Sequence, residues 1–277
     1  MSACPPCFIF WRVHSRFTFF TSARRSIGIE HAWQFALLFI VGIGAGFLNV
    51  TAGGGSSLGL PALIFLGLDP SVANGTNRIA IIIQNIGAIS SFRTSGLRGM
   101  RQSLSLALWA IPGAIIGTLV AVKISDEWFT IAVGIVNILT IVTLFLPKNN
   151  AADLTSDSPR RQLLVGVALF FTGIYGGFIQ LSVGFLLMAV LYRLSRMSLV
   201  LVNMHKVTIA LVYNIPSLLI FAWSDNVSLL PGIALGLGSA TGGWISAKAQ
   251  VKRGESFIRF VLAIALLVVA LKMFGAF

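Results

Sequence analysis

The chain has 277 residues, 56% of them hydrophobic and 10% charged, with a mean hydropathy of +0.91. A soluble domain carries about 25% charged residues, so this chain cannot cover a surface that faces water. Its net charge of +12 does not point to nucleic acid, because most of the basic residues sit in short loops between apolar runs, as membrane orientation requires.

Residues 1–31 are expected to form a disordered N-terminal tail. Arg12, His14 and Arg16 interrupt its apolar stretch, which makes a poor signal peptide. The pair Cys4 and Cys7 has no second Cys or His pair nearby, so it reads as incidental and neither a metal nor a cofactor is expected. The first membrane repeat is expected over 32–147. It opens with an interrupted apolar stretch from His31 to Leu68, then three fuller spans: Ser71 to Phe92, Gln102 to Val122 and Glu127 to Leu146. A polar, proline-bounded segment, 148–161, reads as a cytoplasmic linker. The second repeat, 162–277, follows the same order: an interrupted stretch to Tyr192, then spans at Ser198 to Trp223, Ser228 to Lys248 and Glu255 to Phe274.

The halves also align by residue type. The phrase Gly46-Phe47-Leu48-Asn49-Val50-Thr51-Ala52-Gly53 lies over Gly177-Phe178-Ile179-Gln180-Leu181-Ser182-Val183-Gly184. Asn74 lies over Asn203, Asn85 over Asn214, and Phe92 over Phe221. Gly113 and Gly117 lie over Gly238 and Gly242; these read as packing glycines where helices meet closely. Placing the basic loops (Arg93 to Arg101, Lys148 to Arg161, Arg193 to Arg196, Lys252 to Arg259) in the cytoplasm sends the chain out and back between Arg161 and Arg193. Each half then crosses in five pieces, and the second half is inverted. Arg12, Arg16, Arg24 and Arg25 would lie outside on that scheme; the alternative is a first stretch that crosses once. The expected fold is an all-α polytopic membrane protein of two inverted repeats, each a broken helical hairpin plus three transmembrane helices, in the inner cell membrane.

Helix breaks inside a membrane are tolerated where protein, water or substrate satisfies the freed backbone groups. In transporters they gather where two repeats meet. Gly53, Gly54 and Gly55 stop a helix, and Ser56 or Ser57 can cap the next, whose free N–H groups suit an anion. Arg78 and Lys206 are cations set within apolar spans at near-matching positions, where charges usually face a cavity; the plainer alternative is that they snorkel to the interface. Each carboxylate, from Glu30 to Glu255, falls in an expected loop or at a span edge. A neutral-to-positive cavity follows, suited to a small anion. The expected ligands are Asn49, Thr51, Gly53, Gly54, Gly55, Ser56, Asn74, Thr76, Asn77 and Arg78 from the first half. Gln180, Ser182, Asn203, His205 and Lys206 come from the second.

The stretch "GAGFLNVTAGGGSSLGLPAL" followed by "ANGTN" resembles the TauE/SafE family of sulfite and organosulfonate transporters. The resemblance runs from Trp33 to Phe277 and is most specific at the glycine-rich element before Pro61 and at Ala73 to Thr76. The second-half copies depart from it: "GFIQLSVGFLLM" lacks the triple glycine and the proline, and "NMHK" replaces a Gly-Thr pair. The resemblance implies a sulfur-containing anion as substrate, and the inverted repeats with broken helices point to its transport by alternating access of the two repeats, with the lipid bilayer and the anion as partners and the oligomeric state open. Two other readings stand beside it. One is a non-transporting membrane subunit or assembly factor. The other is an intramembrane hydrolase built on Gly55-Ser56-Ser57-Leu58-Gly59, a G-x-S-x-G pattern, with His205 as base.

Overall fold

The computed structural model describes residues 31–124, 159–195 and 197–273. The expected tail, most of the linker and the span at Glu127 to Leu146 lie outside the described residues. Within them every element is a helix: α1 (Ala32–Thr51), α2 (Ser56–Phe65), α3 (Pro70–Thr94), α4 (Met100–Ala121), α5 (Pro159–Phe178), α6 (Val183–Ser195), α7 (Leu199–Trp223) and α8 (Leu229–Met273). The run of α8 breaks at Gly254, with φ 71° and ψ −162°, so the two spans expected there are its two limbs. By length and apolarity α1, α4, α5 and α7 can each cross a membrane.

Both interrupted stretches are helical hairpins. Leu38 of α1 shares a buried cluster with Leu60 and Leu63 of α2 and with Leu66 and Leu68 beyond it, so α2 returns beside α1. Val165 and Leu169 of α5 likewise meet Val183, Leu187 and Leu191 of α6. The first break spans 52–55, where Gly53 takes φ +98°. The second spans 179–182 and is made without glycine: Ser182 takes φ 58°, a conformation that costs a side-chain-bearing residue about 1–2 kcal/mol.

Helices α3 and α7 form the centre. Every residue from Ala73 to Ile81, and every residue from Val202 to Ala210, is buried. Polar side chains therefore stand on all faces of these helices, away from lipid, and need protein partners. The helices stop in the same way. Gly96 and Asp225 are left-handed, and the next amides, of Leu97 and Asn226, reach back to the carbonyls of Phe92 and Phe221.

The packing glycines find each other's halves. A Cβ at Gly113 or Gly117 would stand 2.1 or 2.0 Å from the carbonyl oxygen of Phe170 or Ile174 on α5. One at Gly238 or Gly242 would stand 2.0 or 1.9 Å from that of Phe39 or Ile43 on α1. The partners Phe39 and Ile43 are the alignment counterparts of Phe170 and Ile174. Returning the contact, Gly42 and Gly46 of α1 press on Leu235 and Ser239, as Gly173 and Gly177 of α5 press on Ala110 and Ala114. Both seams run parallel and both are crosswise: α4 of the first half lies on α5 of the second, and α8 of the second on α1 of the first. No side chain larger than hydrogen fits at these positions, so van der Waals contact between backbones holds the seams.

Candidate functional site

The two breaks touch. A Cβ on Gly53 would lie 2.3 Å from the carbonyl carbon of Gly184, and one on Gly184 would lie 2.4 Å from Cα of Gly53. Ser57 Oγ and Ser182 Oγ are 3.0 Å apart across the junction. The Phe185 ring covers Gly54, and Gly55 folds back on Ala45 and Asn49. Tyr175 donates its hydroxyl to the carbonyl of Leu181 and so braces the second break.

Each long helix ends at its break with backbone carbonyls that lack helical partners. The central helices supply them. Lys206 of α7 is buried and its Nζ donates to the carbonyls of Asn49 and Val50, both at 3.0 Å. Arg78 of α3 is fully buried. Its Nη1 donates to Gly176 O at 3.2 Å, to Asn214 Oδ1 at 3.2 Å and to Gln180 Oε1 at 3.5 Å; its Nη2 donates to Gly177 O at 2.5 Å. The guanidinium carbon lies 4.7 Å from the centroid of the Phe221 ring. Thr118 donates to Gly177 O as well, at 3.0 Å. Each cation thus caps a broken helix of the opposite half. The caps cancel the negative ends of α1 and α5, while the positive N-termini of α2 and α6 remain at the junction.

Between the breaks, α3 and α7 lies a small space lined by Asn49, Ser56, Asn85, Gln180, Lys206 and Tyr213, with apolar walls from Ile81, Leu187 and Val207. It has room for about one water molecule. A second space beside it shares Ser56 and Ile81 and adds Asn77, Gln84 and Ser239. No carboxylate lines either. The centre is closed in this conformation: neither space admits more than about one water molecule. Among the described residues the carboxylates stand at helix ends, with Asp69 before α3, Asp225 after α7, and Glu255 accepting from the amide of Leu199 at 2.9 Å.

The family model described as Sulfite exporter TauE/SafE matches residues 38–273. The chain belongs to this family. Its relatives include a protein of Haemophilus influenzae named "Probable membrane transporter protein", 26% identical over 89% of this chain and 96% of that protein. A Sinorhizobium protein, "Probable membrane transporter protein ORF9", is 23% identical over 86% of this chain and 91% of its own length. "Probable membrane transporter protein YfcA" of Escherichia coli K12 is 26% identical over 86% and 88%. No solved structure matches the chain. With the apolar helices, family membership makes this a multi-pass membrane protein of a transporter family.

Of the residues read from the sequence, Asn49, Ser56, Gln180 and Lys206 meet around the first space, with Gly53 and Ser182 in the junction beside it; Gly55 and Asn77 line the second. Others brace the break ends. Thr51 is buried, hydrogen-bonded to Phe47 O at 2.9 Å and to Ser246 Oγ at 2.5 Å, and Asn203 donates to Thr51 O at 3.0 Å and Gln250 Oε1 at 2.7 Å. Asn74 donates to Phe178 O at 3.0 Å. Thr76 and His205 lie elsewhere. Thr76 Oγ1 accepts from the amide of Ser228 at 2.8 Å, just before α8, and His205 Nδ1 pairs with Ser103 Oγ at 2.7 Å near the start of α4. The serine and histidine of the hydrolase pattern are therefore held by different partners: Ser57 by Ser182, His205 by Ser103.

Four polar lining residues are absent from the sequence-based set: Asn85, Gln84, Tyr213 and Ser239. Asn85 is buried and its Nδ2 has no hydrogen-bond partner, while its Oδ1 accepts from Gln84 Nε2 at 3.2 Å. The available signal was the alignment of Asn85 with Asn214, an amide deep in each apolar span. Tyr213, which accepts from Gln180 Nε2 at 3.2 Å, carries no such signal.

Proposed function

We propose that the chain is a secondary transporter or facilitator of a small sulfur-containing anion, sulfite or an organosulfonate, working by alternating access between two inverted repeats. The observation that carries this reading is the electrostatic make-up of the junction. The N-terminal turns of α2 and α6, through Ser56 and Gly184, and the buried Lys206 line a polar space, Arg78 stands behind it on Gln180, and no carboxylate lines it. Such a centre disfavours a cation and leaves a positive potential in low dielectric, where charge acts strongly. The uncommitted Asn85 amide, Ser56 and the Lys206 ammonium supply donors of the kind that sulfur oxyanions accept. The printed family description supports sulfur chemistry for the substrate, and the relatives' names support transport.

Outward movement needs little machinery. An inside-negative potential favours anion exit by about 2.3 kcal/mol per charge per 100 mV. The reading is tested with purified protein in liposomes loaded with labelled sulfite, thiosulfate or a sulfonate, under an imposed diffusion potential. Efflux that grows with the inside-negative potential is expected. Absence of potential-dependent movement for every one of these anions refutes it and favours a non-transporting subunit.

A further inference from the structure

In transporters with discontinuous helices, the freed carbonyls and the C-terminal ends of half-helices are the places where a coupling cation binds. Here both such ends are already taken by side chains. The carbonyls of Asn49 and Val50 hold the Lys206 ammonium, and those of Gly176 and Gly177 hold the Arg78 guanidinium. Both cations are buried, and the described carboxylates stand at helix ends rather than beside them. A metal ion on the same carbonyls would meet a fixed positive charge in low dielectric with no carboxylate among the described residues to offset it.

We propose that Arg78 and Lys206 are tethered replacements for coupling cations, so that anion movement runs on the membrane potential and the anion gradient, with neither Na⁺ nor K⁺ required. This rests on the transport reading above and adds the coupling mode. No covalent bond is made or broken; the tethered charges stay with the protein and no metal cation crosses with the anion.

The test uses the full chain in two formats. In liposomes, potential-driven sulfite efflux is measured in sodium, potassium and N-methyl-glucamine salts of equal ionic strength. In detergent, thermal unfolding is followed in sodium against N-methyl-glucamine chloride for wild type, K206A and R78A. Wild-type flux and melting should be the same in every salt. K206A, with the Asn49 and Val50 carbonyls opened, and R78A, with Gly176 O opened beside a Gly177 O that keeps Thr118, should gain sodium stabilisation, a rise of about 2–4 °C. Loss of wild-type flux without sodium overturns the proposal, as does a wild-type melting point raised by sodium, or folded variants that ignore it. If neither variant folds, the wild-type arms decide. If no salt supports flux of sulfite, thiosulfate or a sulfonate, the transport reading fails, and the melting comparison still decides the cation question.

Discussion

Replacing Gly53 by alanine should be among the most damaging one-carbon changes in the chain. The added Cβ would lie 2.3 Å from Gly184 C, 2.5 Å from Phe185 N and 2.7 Å from Gly184 O. All three are backbone atoms of the second break, so no rotamer change relieves them; the hairpins must part by about 1 Å to restore ordinary contact, an overpacking cost of about 1–3 kcal/mol. The residue also sits at φ +98°, where a side chain costs about 1–2 kcal/mol more. The two effects together give about 2–5 kcal/mol, a loss of roughly 4–20 °C in melting temperature for a chain of this size. Gly96 provides the control: its φ is +86° and nothing lies within 4 Å of its added Cβ, so Gly96→Ala bears the backbone cost alone. Tryptophan-fluorescence melting in detergent and sulfite flux in liposomes should separate them, with G53A low in both and G96A near wild type in flux. A G53A protein that melts with G96A and carries full flux would refute the contact between the breaks.

Asn85→Ala removes a donor with no protein partner together with the acceptor of Gln84 Nε2; stability should fall by about 1–3 kcal/mol, while the Kd for sulfite, read by thermal shift, rises roughly tenfold or more. Cysteines at Ser57 and Ser182, whose hydroxyls are 3.0 Å apart, should form a disulfide under mild oxidation and stop flux until reduced, if the breaks must separate for passage. Gly117→Val and Gly242→Val should cost alike in melting temperature, because both Cβ atoms would fall within about 2 Å of a carbonyl oxygen at equivalent places of the two seams; a large difference between them would show that the seams are not equivalent.

The helices and the first break were legible because apolar runs and three adjacent glycines act locally on the backbone. The second break was harder to read: its left-handed residue is Ser182, and its glycine, Gly184, serves close approach to Gly53 rather than the turn itself. Small-residue spacing announced that Gly113, Gly117, Gly238 and Gly242 meet another helix, but which helix is a tertiary matter, and the crosswise choice has no local signature. Arg78 and Lys206 were legible as buried cations. Their partners were not, since backbone carbonyls are the same in every residue and become acceptors only where a helix ends. His205 looked like a site residue for its chemistry; its depth matches that of Thr76, and both instead hold the start of a fourth helix from the other half.

The packing decides which parts could move against each other. The tight seams join α1 to α8 and α4 to α5, while α3 lies along α8 and α7 along α4. The closely packed groups are therefore α1, α3 and α8 on one side and α4, α5 and α7 on the other, each drawn from both sequence halves. Seams in which backbones touch have no slack for sliding, so the packing favours alternation between these two mixed groups over movement of each repeat as a rigid unit, concentrated at the α3–α7 contact and the Gly53–Gly184 junction. Arg78 leaves α3 to hold α5, and Lys206 leaves α7 to hold α1. Each fixed charge thus bridges the two groups, beside the space that an anion would enter. An arriving anion competes with the same carbonyls for the Lys206 ammonium, which is the physical route by which its binding could loosen one bridge and favour a second arrangement.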